Sequence, residues 1–440
     1  MMSLPNKIFE AGVVGAGGGG FPTHIKAKSS VEFVIANGAE CEPLLHKDFE
    51  IMVNYAEQIV HGMKLMMEQA NARKGYFGIK GKNADAISAI EKVISDSDNI
   101  EMAILGDYYP IGDEYELVYE TTGRLIPPHG IPLDVGCLVN NVETFYNIAN
   151  AENSKPVTEK FLCVTGAVKT PKSFFTPIGT TFRELIEAAG GTTVKEFGIF
   201  ISGLLMGSLT FDLDEPVTKT TGGIIVLPKN HYLIMRESRT IEDMNRIGKS
   251  ACDQCSYCTE FCPRYLLGYD VQPHKVMRSL GFTKTGNAVW NNYADLCCSC
   301  GLCSLYACPE DLYPREACNQ GQAELKSQGI KYEQVKPVKV HPVQDGRRVP
   351  LKQLMKKLDV TKYNSSTPFT KNKVQTSKVF IKLKQHAGAP AKAIVQKGDI
   401  VSTGDLIAKI EENNLGANVH ASINGKVTEI TNEHIVIENG

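Results

Sequence analysis

Residues 252–263 read Cys-Asp-Gln-Cys-Ser-Tyr-Cys-Thr-Glu-Phe-Cys-Pro, and residues 297–309 read Cys-Cys-Ser-Cys-Gly-Leu-Cys-Ser-Leu-Tyr-Ala-Cys-Pro. The first run is Cys252-x2-Cys255-x2-Cys258-x3-Cys262-Pro263, a spacing that wraps a [4Fe–4S] cubane. The second is Cys297-x2-Cys300-x2-Cys303-x4-Cys308-Pro309, one residue longer before its last cysteine. Three thiolates two residues apart curl a tight loop around three corners of a cubane. Backbone N–H groups of that loop point at the sulfurs and stabilise the cluster charge. The fourth thiolate comes from the other run, across a pseudo-twofold. One cluster is therefore expected on Cys252, Cys255, Cys258 and Cys308, and the other on Cys297, Cys300, Cys303 and Cys262. Paired structural zinc is the competing reading, but zinc favours two Cys-x2-Cys pairs separated by a longer loop. Cys298 competes with Cys297, and the x2 spacing to Cys300 favours Cys297. Cys318 lies outside the pattern and reads as a buried or free thiol.

The rest of the composition sets the context for these runs. The chain has 440 residues, 42% hydrophobic and 22% charged, with a formal net charge of −2. That balance gives no global field toward nucleic acid or a membrane surface. There is no apolar run of about 18 residues, so no membrane-spanning helix is expected. Residues 1–10 lack the apolar core of a signal peptide, which points to a cytoplasmic protein. Disulfides are rare there, yet nine of the thirteen cysteines fall between Cys252 and Cys308. Metal ligation explains that crowding. Two clusters form a wire that passes single electrons. A source that delivers two electrons together needs a converter, and a flavin is the usual one.

Around the wire the periodicity changes by region. In residues 1–155, strand-like stretches (31–36, 76–79, 101–105) alternate with helix-like ones (48–70, 84–94, 112–121), which argues for a parallel sheet covered by helices. Residues 156–232 read as a small α+β module. It has short strands near 161–164 and 199–201, and a helix that starts after Thr180 and stops at Gly190-Gly191. Residues 233–335 are helical fragments around the cysteines. Residues 336–376 read as a linker with one short helix at 351–358. Residues 377–440 are short strands and Gly/Asn/Asp turns, as in a small β-sandwich or barrel.

Residues 15–23 read Gly-Ala-Gly-Gly-Gly-Gly-Phe-Pro-Thr. Gly15, Gly17 and Gly20 satisfy G-x-G-x-x-G, a weak signal alone, because residues 6–14 before it look helical rather than extended. A flexible surface turn is the bland alternative. Three further stretches join it: Asn37-Gly38-Ala39-Glu40-Cys41-Glu42-Pro43, Tyr109-Pro110-Ile111-Gly112-Asp113-Glu114 and Asn140-Asn141-Val142-Glu143-Thr144. Together these resemble the flavin domain of the NADH-oxidising subunit of respiratory complex I. They resemble more closely the C subunit of Rnf electron-transport complexes and the PduS-type cobalamin reductases. Val164-Thr165-Gly166-Ala167-Val168-Lys169 with Pro177-Ile178-Gly179 resembles the β-grasp (SLBB) module of those proteins. Gln385 to Pro390 with Val419-His420-Ala421-Ser422 resembles their barrel-sandwich hybrid. That barrel is N-terminal in Rnf C subunits and C-terminal here, the PduS order.

The resemblance implies a fold of four parts: an α/β FMN-binding domain, an SLBB module, a helical dicluster ferredoxin domain and a C-terminal all-β barrel-sandwich hybrid. It implies that Gly15, Ala16 and Gly17 pack on FMN and that Lys26 neutralises its phosphate. Asn37, Glu40, Asn140, Asn141 and Thr144 would hold the flavin, and Gly112, Asp113 and Glu114 would lie near flavin and nicotinamide. Glu40 and Glu114 are the candidate catalytic acids. Ala16 and Ala39 replace an Arg and an acid of the complex I pattern, as in the Rnf/PduS branch. Capping of the following helix is the alternative for Asn140 and Asn141. Glu40 and Glu42 also read as solvated acids, and Cys41 as a small buried thiol. The implied activity is electron transfer from NADH through FMN and two [4Fe–4S] clusters to a redox partner protein or a corrinoid. The implied setting is a larger complex or a bacterial microcompartment, and the alternative is a relay adaptor without its own NADH site. A swinging-arm carrier does not fit, because the hairpin at 423–425 has no lysine at its tip.

Overall fold

The strand β1 (Phe33–Gly38) is buried along most of its length, as suits the centre of a parallel sheet covered on both faces. A computed structural model describes residues 2–95, 99–282, 288–411 and 414–439. In the first module α1 (Leu4–Glu10) and α2 (Thr23–Lys26) flank the glycine-rich loop. After β1 come α3 (Lys47–Gln69), β2 (Lys74–Lys80), α4 (Ala84–Glu91) and β3 (Ile100–Leu105). Then follow β4 (Tyr108–Tyr109), α5 (Glu114–Thr122), β5 (Cys137–Asn141) and α6 (Val142–Glu152). The main sheet runs β3-β2-β1-β5, all parallel. The chain moves outward from β1 on one side and returns to it on the other. The topological switch point, where α/β sheets open a crevice for ligands, therefore lies between β1 and β5. Helices α3 and α6 pack so closely that a Cβ on Gly62 would lie 1.9 Å from the Phe145 carbonyl oxygen.

The second module is a mixed sheet ordered β7-β6-β10-β8-β9. Its strands are β6 (Glu159–Gly166), β7 (Lys172–Pro177), β8 (Phe197–Ile201), β9 (Ser208–Thr210) and β10 (Gly223–Pro228). Helix α7 (Phe182–Ala188) covers it. Its N-cap is Thr181, in a capping box with Glu184, one residue beyond the start read from the sequence. The cysteine region is built of short helices: α8 (Tyr232–Glu237), α9 (Ile241–Ala251), α10 (Tyr257–Glu260), α11 (Pro263–Leu266), α12 (Pro273–Ser279) and α13 (Pro314–Ser327).

Residues 336–376 hold α14 (Gln344–Arg347), β11 (Val349–Pro350) and α15 (Leu351–Lys357). Strand β11 pairs with β4 of the first module. Leu351, Leu354 and Met355 of α15 share a buried cluster with Tyr109, Leu204 and Leu302, so this stretch is packed between modules. The C-terminal strands are β12 (Lys378–Lys382), β13 (Lys392–Ala393), β14 (Ile400–Val401), β15 (Leu406–Lys409), β16 (Val419–His420), β17 (Gly425–Ile430) and β18 (His434–Glu438). They form two small antiparallel sheets, β12-β18-β17-β14 and β13-β15-β16. Val379, Ile381, Ile407 and Ile435 of this barrel lie in one continuous core with Ile8, Val13 and Phe161.

Candidate functional site

The three polar stretches named from the sequence meet at the carboxyl edge of the parallel sheet. Asn37 ends β1 and Asn140-Asn141 end β5, with Asn37 directly opposite Asn141. The Asn37 side-chain amide donates to the Gly112 carbonyl at 2.9 Å, which draws in the 110–114 loop. Asn141 caps α6 by accepting the Glu143 N–H at 3.0 Å, and its amide donates to Asp48 at 2.8 Å. Capping is thus part of its role. Asn140 is buried and its Nδ2 has no hydrogen-bond partner. A buried donor left unpaired is costly, and at the carboxyl edge of the sheet it is a place for a ligand acceptor.

The glycine loop closes on itself through Gly15 N–H to the Phe21 carbonyl at 2.9 Å and Gly20 N–H to the Gly15 carbonyl at 3.2 Å. Residues Gly17, Gly18 and Gly19 are exposed, and a Cβ on Gly18 or Gly19 would meet nothing within 4 Å. Ala16 is held from behind: its N–H donates to Thr144 Oγ1 at 3.0 Å. Lys26 donates to the Val139 carbonyl at 2.7 Å and stands 3.7 Å from the exposed Glu114. Asp113 caps α5 through the Tyr115 N–H. Glu40 accepts the Asp48 N–H at 3.0 Å. Burial, and then the Asp48 charge, push the Glu40 carboxyl up to about 8. The orphan amide, the open glycine face and the half-buried ammonium are the donor set that a phosphorylated planar ring needs, so the residues fit FMN.

The cysteines gather as two sets. Cys252, Cys255, Cys258 and Cys308 line one cavity, so the last thiol of the second run joins the first three. Burial raises the Cys303 thiol well above its ordinary value, helped by Cys297, Cys258 and Cys262 nearby. Donation of its S–H to Cys298, and then burial, raise the Cys300 thiol well above its ordinary value, and it also feels Cys303 and Cys262. Among the described residues no three His, Cys, Asp or Glu side chains close tightly enough to hold one metal ion. A cavity ringed by four thiols offers the donor set a [4Fe–4S] cluster takes.

Backbone conformation aligns the two runs. Gln254 and Ser256 have positive φ in the first, and Ser299 and Gly301 in the second. Each lies two and four residues beyond Cys252 and Cys297, so Cys297 rather than Cys298 matches Cys252. The Cys297 sulfur accepts the Ser299 N–H at 3.3 Å and also accepts a hydrogen bond from the thiol of the fully buried Cys318. The extra residue before Cys308 is taken up by a π-helical turn over Cys303–Ala307, the usual way to absorb one inserted residue.

The second set faces the first module. Tyr109 donates to the Cys300 carbonyl at 2.8 Å and to Glu42 at 3.3 Å. Glu42 in turn accepts the N–H groups of Leu204, Leu205 and Met206. Arg264, two residues after Cys262, pairs with Asp113 at 3.0 Å and lies 3.4 Å from the Tyr115 ring centroid. Cys41 accepts the Gly112 N–H at 3.4 Å, and burial, then Glu42, push its thiol up to about 12. The first set reaches the surface at Cys255, which is exposed.

Below the glycine loop lies a charged network that sequence reading missed. Lys47 touches Asp48 at 2.5 Å and Glu143 at 3.2 Å. Lys160 of β6 touches Glu143 at 2.5 Å and donates to the Ala16 carbonyl at 3.0 Å. Glu143 belongs to the Asn140–Thr144 stretch, but its partners come from α3 and from the next module. Periodicity carries no signal for such a contact.

Comparison with known proteins follows this division. Residues 8–150 match the Nuo51 FMN-binding domain, and residues 161–197 match the SLBB domain. Residues 251–313 match a 4Fe-4S dicluster domain, and residues 357–440 match the RnfC barrel sandwich hybrid domain. The cobalamin reductase PduS of Salmonella typhimurium is 38% identical, covering 99% of this chain and 96% of that protein. The cobalamin reductase PduS of Citrobacter freundii is 37% identical, covering 100% and 97%. The C subunit of the Na(+)-translocating ferredoxin:NAD(+) oxidoreductase complex of Acetobacterium woodii is 34% identical over 65% of this chain and 63% of its own. A crystal structure of an NAD+-reducing [NiFe]-hydrogenase in the H2-reduced state shares the fold, with a TM-score of 0.50 and 20% identity, over 73% of this chain and 62% of that one. Among the described residues no helix is long and apolar enough to cross a membrane. Matched along its whole length by two such relatives, the chain belongs to the family of the PduS cobalamin reductases.

Proposed function

We propose that the chain passes electrons from NADH, through FMN at the β1–β5 edge, to two [4Fe–4S] clusters and on to a partner protein or a corrinoid. When bound, FMN supplies the conversion of a hydride into single electrons and the clusters supply the path outward. The chain's own residues set the order of that path. The observation that carries the reading is the unequal placement of the two thiol sets. Cys297, Cys300, Cys303 and Cys262 are tied to the flavin module by the Tyr109–Cys300 and Asp113–Arg264 bonds. Cys252, Cys255, Cys258 and Cys308 reach solvent at Cys255. The inner set then receives electrons and the outer set delivers them.

The remaining assignments follow from position. The Gly15–Gly17 loop, Asn37, Asn140, Asn141 and Thr144 hold the ring and its side chain. Lys26 meets the phosphate and would exchange its present carbonyl partner for it. Glu40, protonated near neutral pH because burial and Asp48 oppose its charge, is the group able to give or take a proton beside the flavin. Glu114, exposed at the start of α5, stands at the entrance. The relatives' cobalamin reductase activity supports a corrinoid acceptor, and the place of the Rnf relative in a complex supports a protein one. A microcompartment setting belongs with the first.

The test is anaerobic mixing of cluster-loaded, FMN-loaded protein with NADH. Flavin and cluster absorbance should both bleach. Reduction by dithionite but not by NADH would leave only a relay adaptor.

A further inference from the structure

The glycine loop is held by two modules at once. Thr144 of α6 accepts the Ala16 N–H at 3.0 Å, which fixes the Gly15–Ala16 peptide. Lys160 of β6 donates to the Ala16 carbonyl at 3.0 Å, which fixes the next peptide, Ala16–Gly17. The Ala16–Gly17 peptide is trans, and in a trans peptide the N–H points opposite to the carbonyl. With the Ala16 carbonyl drawn inward to Lys160, the Gly17 N–H points outward, to the exposed face of the loop.

Lys160 also closes a charge balance. It is 1% exposed, like Glu143, and Lys47 and Asp48 are 4% and 5% exposed. Two ammonium groups face two carboxylates, joined by bonds of 2.5 to 3.2 Å. Glu143 spends its other oxygen on the Phe161 N–H at 3.1 Å. Asp48 spends its own on Asn141 at 2.8 Å. Removing Lys160 would leave two carboxylates against one ammonium directly behind the loop. In a poorly solvated interior such an excess is felt strongly at short range.

We propose that Lys160, contributed by the second module, is a positioning residue for the flavin: it aims the Gly17 N–H at the ring and keeps the ground beneath the ring electrically neutral, so that the ring can accept electrons. This rests on the flavin reading above. It gives the second module a role in the flavin site that is separate from any ligand of its own. Fixed dipoles and charges aimed where negative charge develops need no rearrangement during electron uptake.

The test uses the full-length, cluster-loaded protein and its K160M, K160R and K160M/E143Q variants, each checked for unchanged iron content and cluster EPR. FMN affinity is read by quenching of flavin fluorescence, and the flavin midpoint potential by anaerobic dye titration. K160M should bind FMN at least about tenfold more weakly, the equivalent of one lost hydrogen bond to a charged group. Its flavin potential should fall. K160R should retain most of both properties. K160M/E143Q removes one charge of each sign, so its potential should return toward the parent while its FMN affinity stays low. A purely structural lysine would give K160M and K160M/E143Q the same potential. Parent-like affinity and potential in K160M overturn the inference alone, and a parent protein that takes up no FMN overturns the flavin reading with it.

Discussion

Glu40 couples folding to proton binding. Its carboxyl sits at about 8 in the folded chain against an ordinary 4.5, because burial and then Asp48 disfavour its charge. Between those values the folded state keeps a proton that the unfolded chain has released. Stability from this group is therefore fully present below about pH 4.5 and is lost as pH rises toward 8. Glu40→Gln keeps an acceptor for the Asp48 N–H and cannot ionise. Relative to the parent, apoprotein carrying E40Q should gain stability between pH 5 and pH 8.5, by on the order of 4 kcal/mol, read from urea unfolding at both values. The meeting of Asn37 with Asn140-Asn141 at one sheet edge is legible in the sequence, where a short polar stretch interrupts an apolar strand. Lys160 was not, because it lies 144 positions from the Ala16 carbonyl it holds, and a lone lysine in a strand looks like surface until the neighbouring module is in place.

At the scale of elements, the gathering of the first three cysteines of one run with the last of the other is legible in the spacing. Ligand chemistry fixes sequence separation as tightly as helix geometry does. The π-helical turn over Cys303–Ala307 was hidden in the same numbers, since one extra residue can become a longer loop or a wider helical turn. Strand β11 was not legible at all. Two residues, Val349-Pro350, pair with Tyr108-Tyr109, and no period exists in so short a segment. The exchange of last ligands between the runs predicts a crossed phenotype. Cys308→Ser should abolish the cluster held by Cys252, Cys255 and Cys258, lowering iron by about half and leaving the other cluster's EPR signal. Cys298→Ser should leave both clusters in place. Iron analysis and EPR of oxygen-free protein decide each.

At the scale of the whole molecule, the barrel was readable as a separate β-rich segment, but its docking was not. It joins the core of the first module, and its Ala387 N–H donates to the Gly20 carbonyl at 3.0 Å. Lys219 of the second module is buried and donates to the carbonyls of Gly12 and Asn418, both at 2.7 Å, which pins three modules at one point. Burial pushes its ammonium down to about 7. Gly12 has φ +66°, and a Cβ there would lie 2.4 Å from the Asn418 oxygen. Gly12→Ala should cost about 1–3 kcal/mol and make residues 377–440 more sensitive to protease. Iron content should not change, since the thiol sets are elsewhere.

That joint bears on how the chain is made. Domains commonly fold in turn as they leave the ribosome, at about 5–20 residues per second. Here the Ala387 N–H that donates to the Gly20 carbonyl emerges roughly 20–70 s after the glycine loop at that speed. Throughout that interval the surface around Gly179 of the second module, which Val379 and Ile381 will cover, stands bare. The nascent protein thus exposes apolar surface of the kind that chaperones bind.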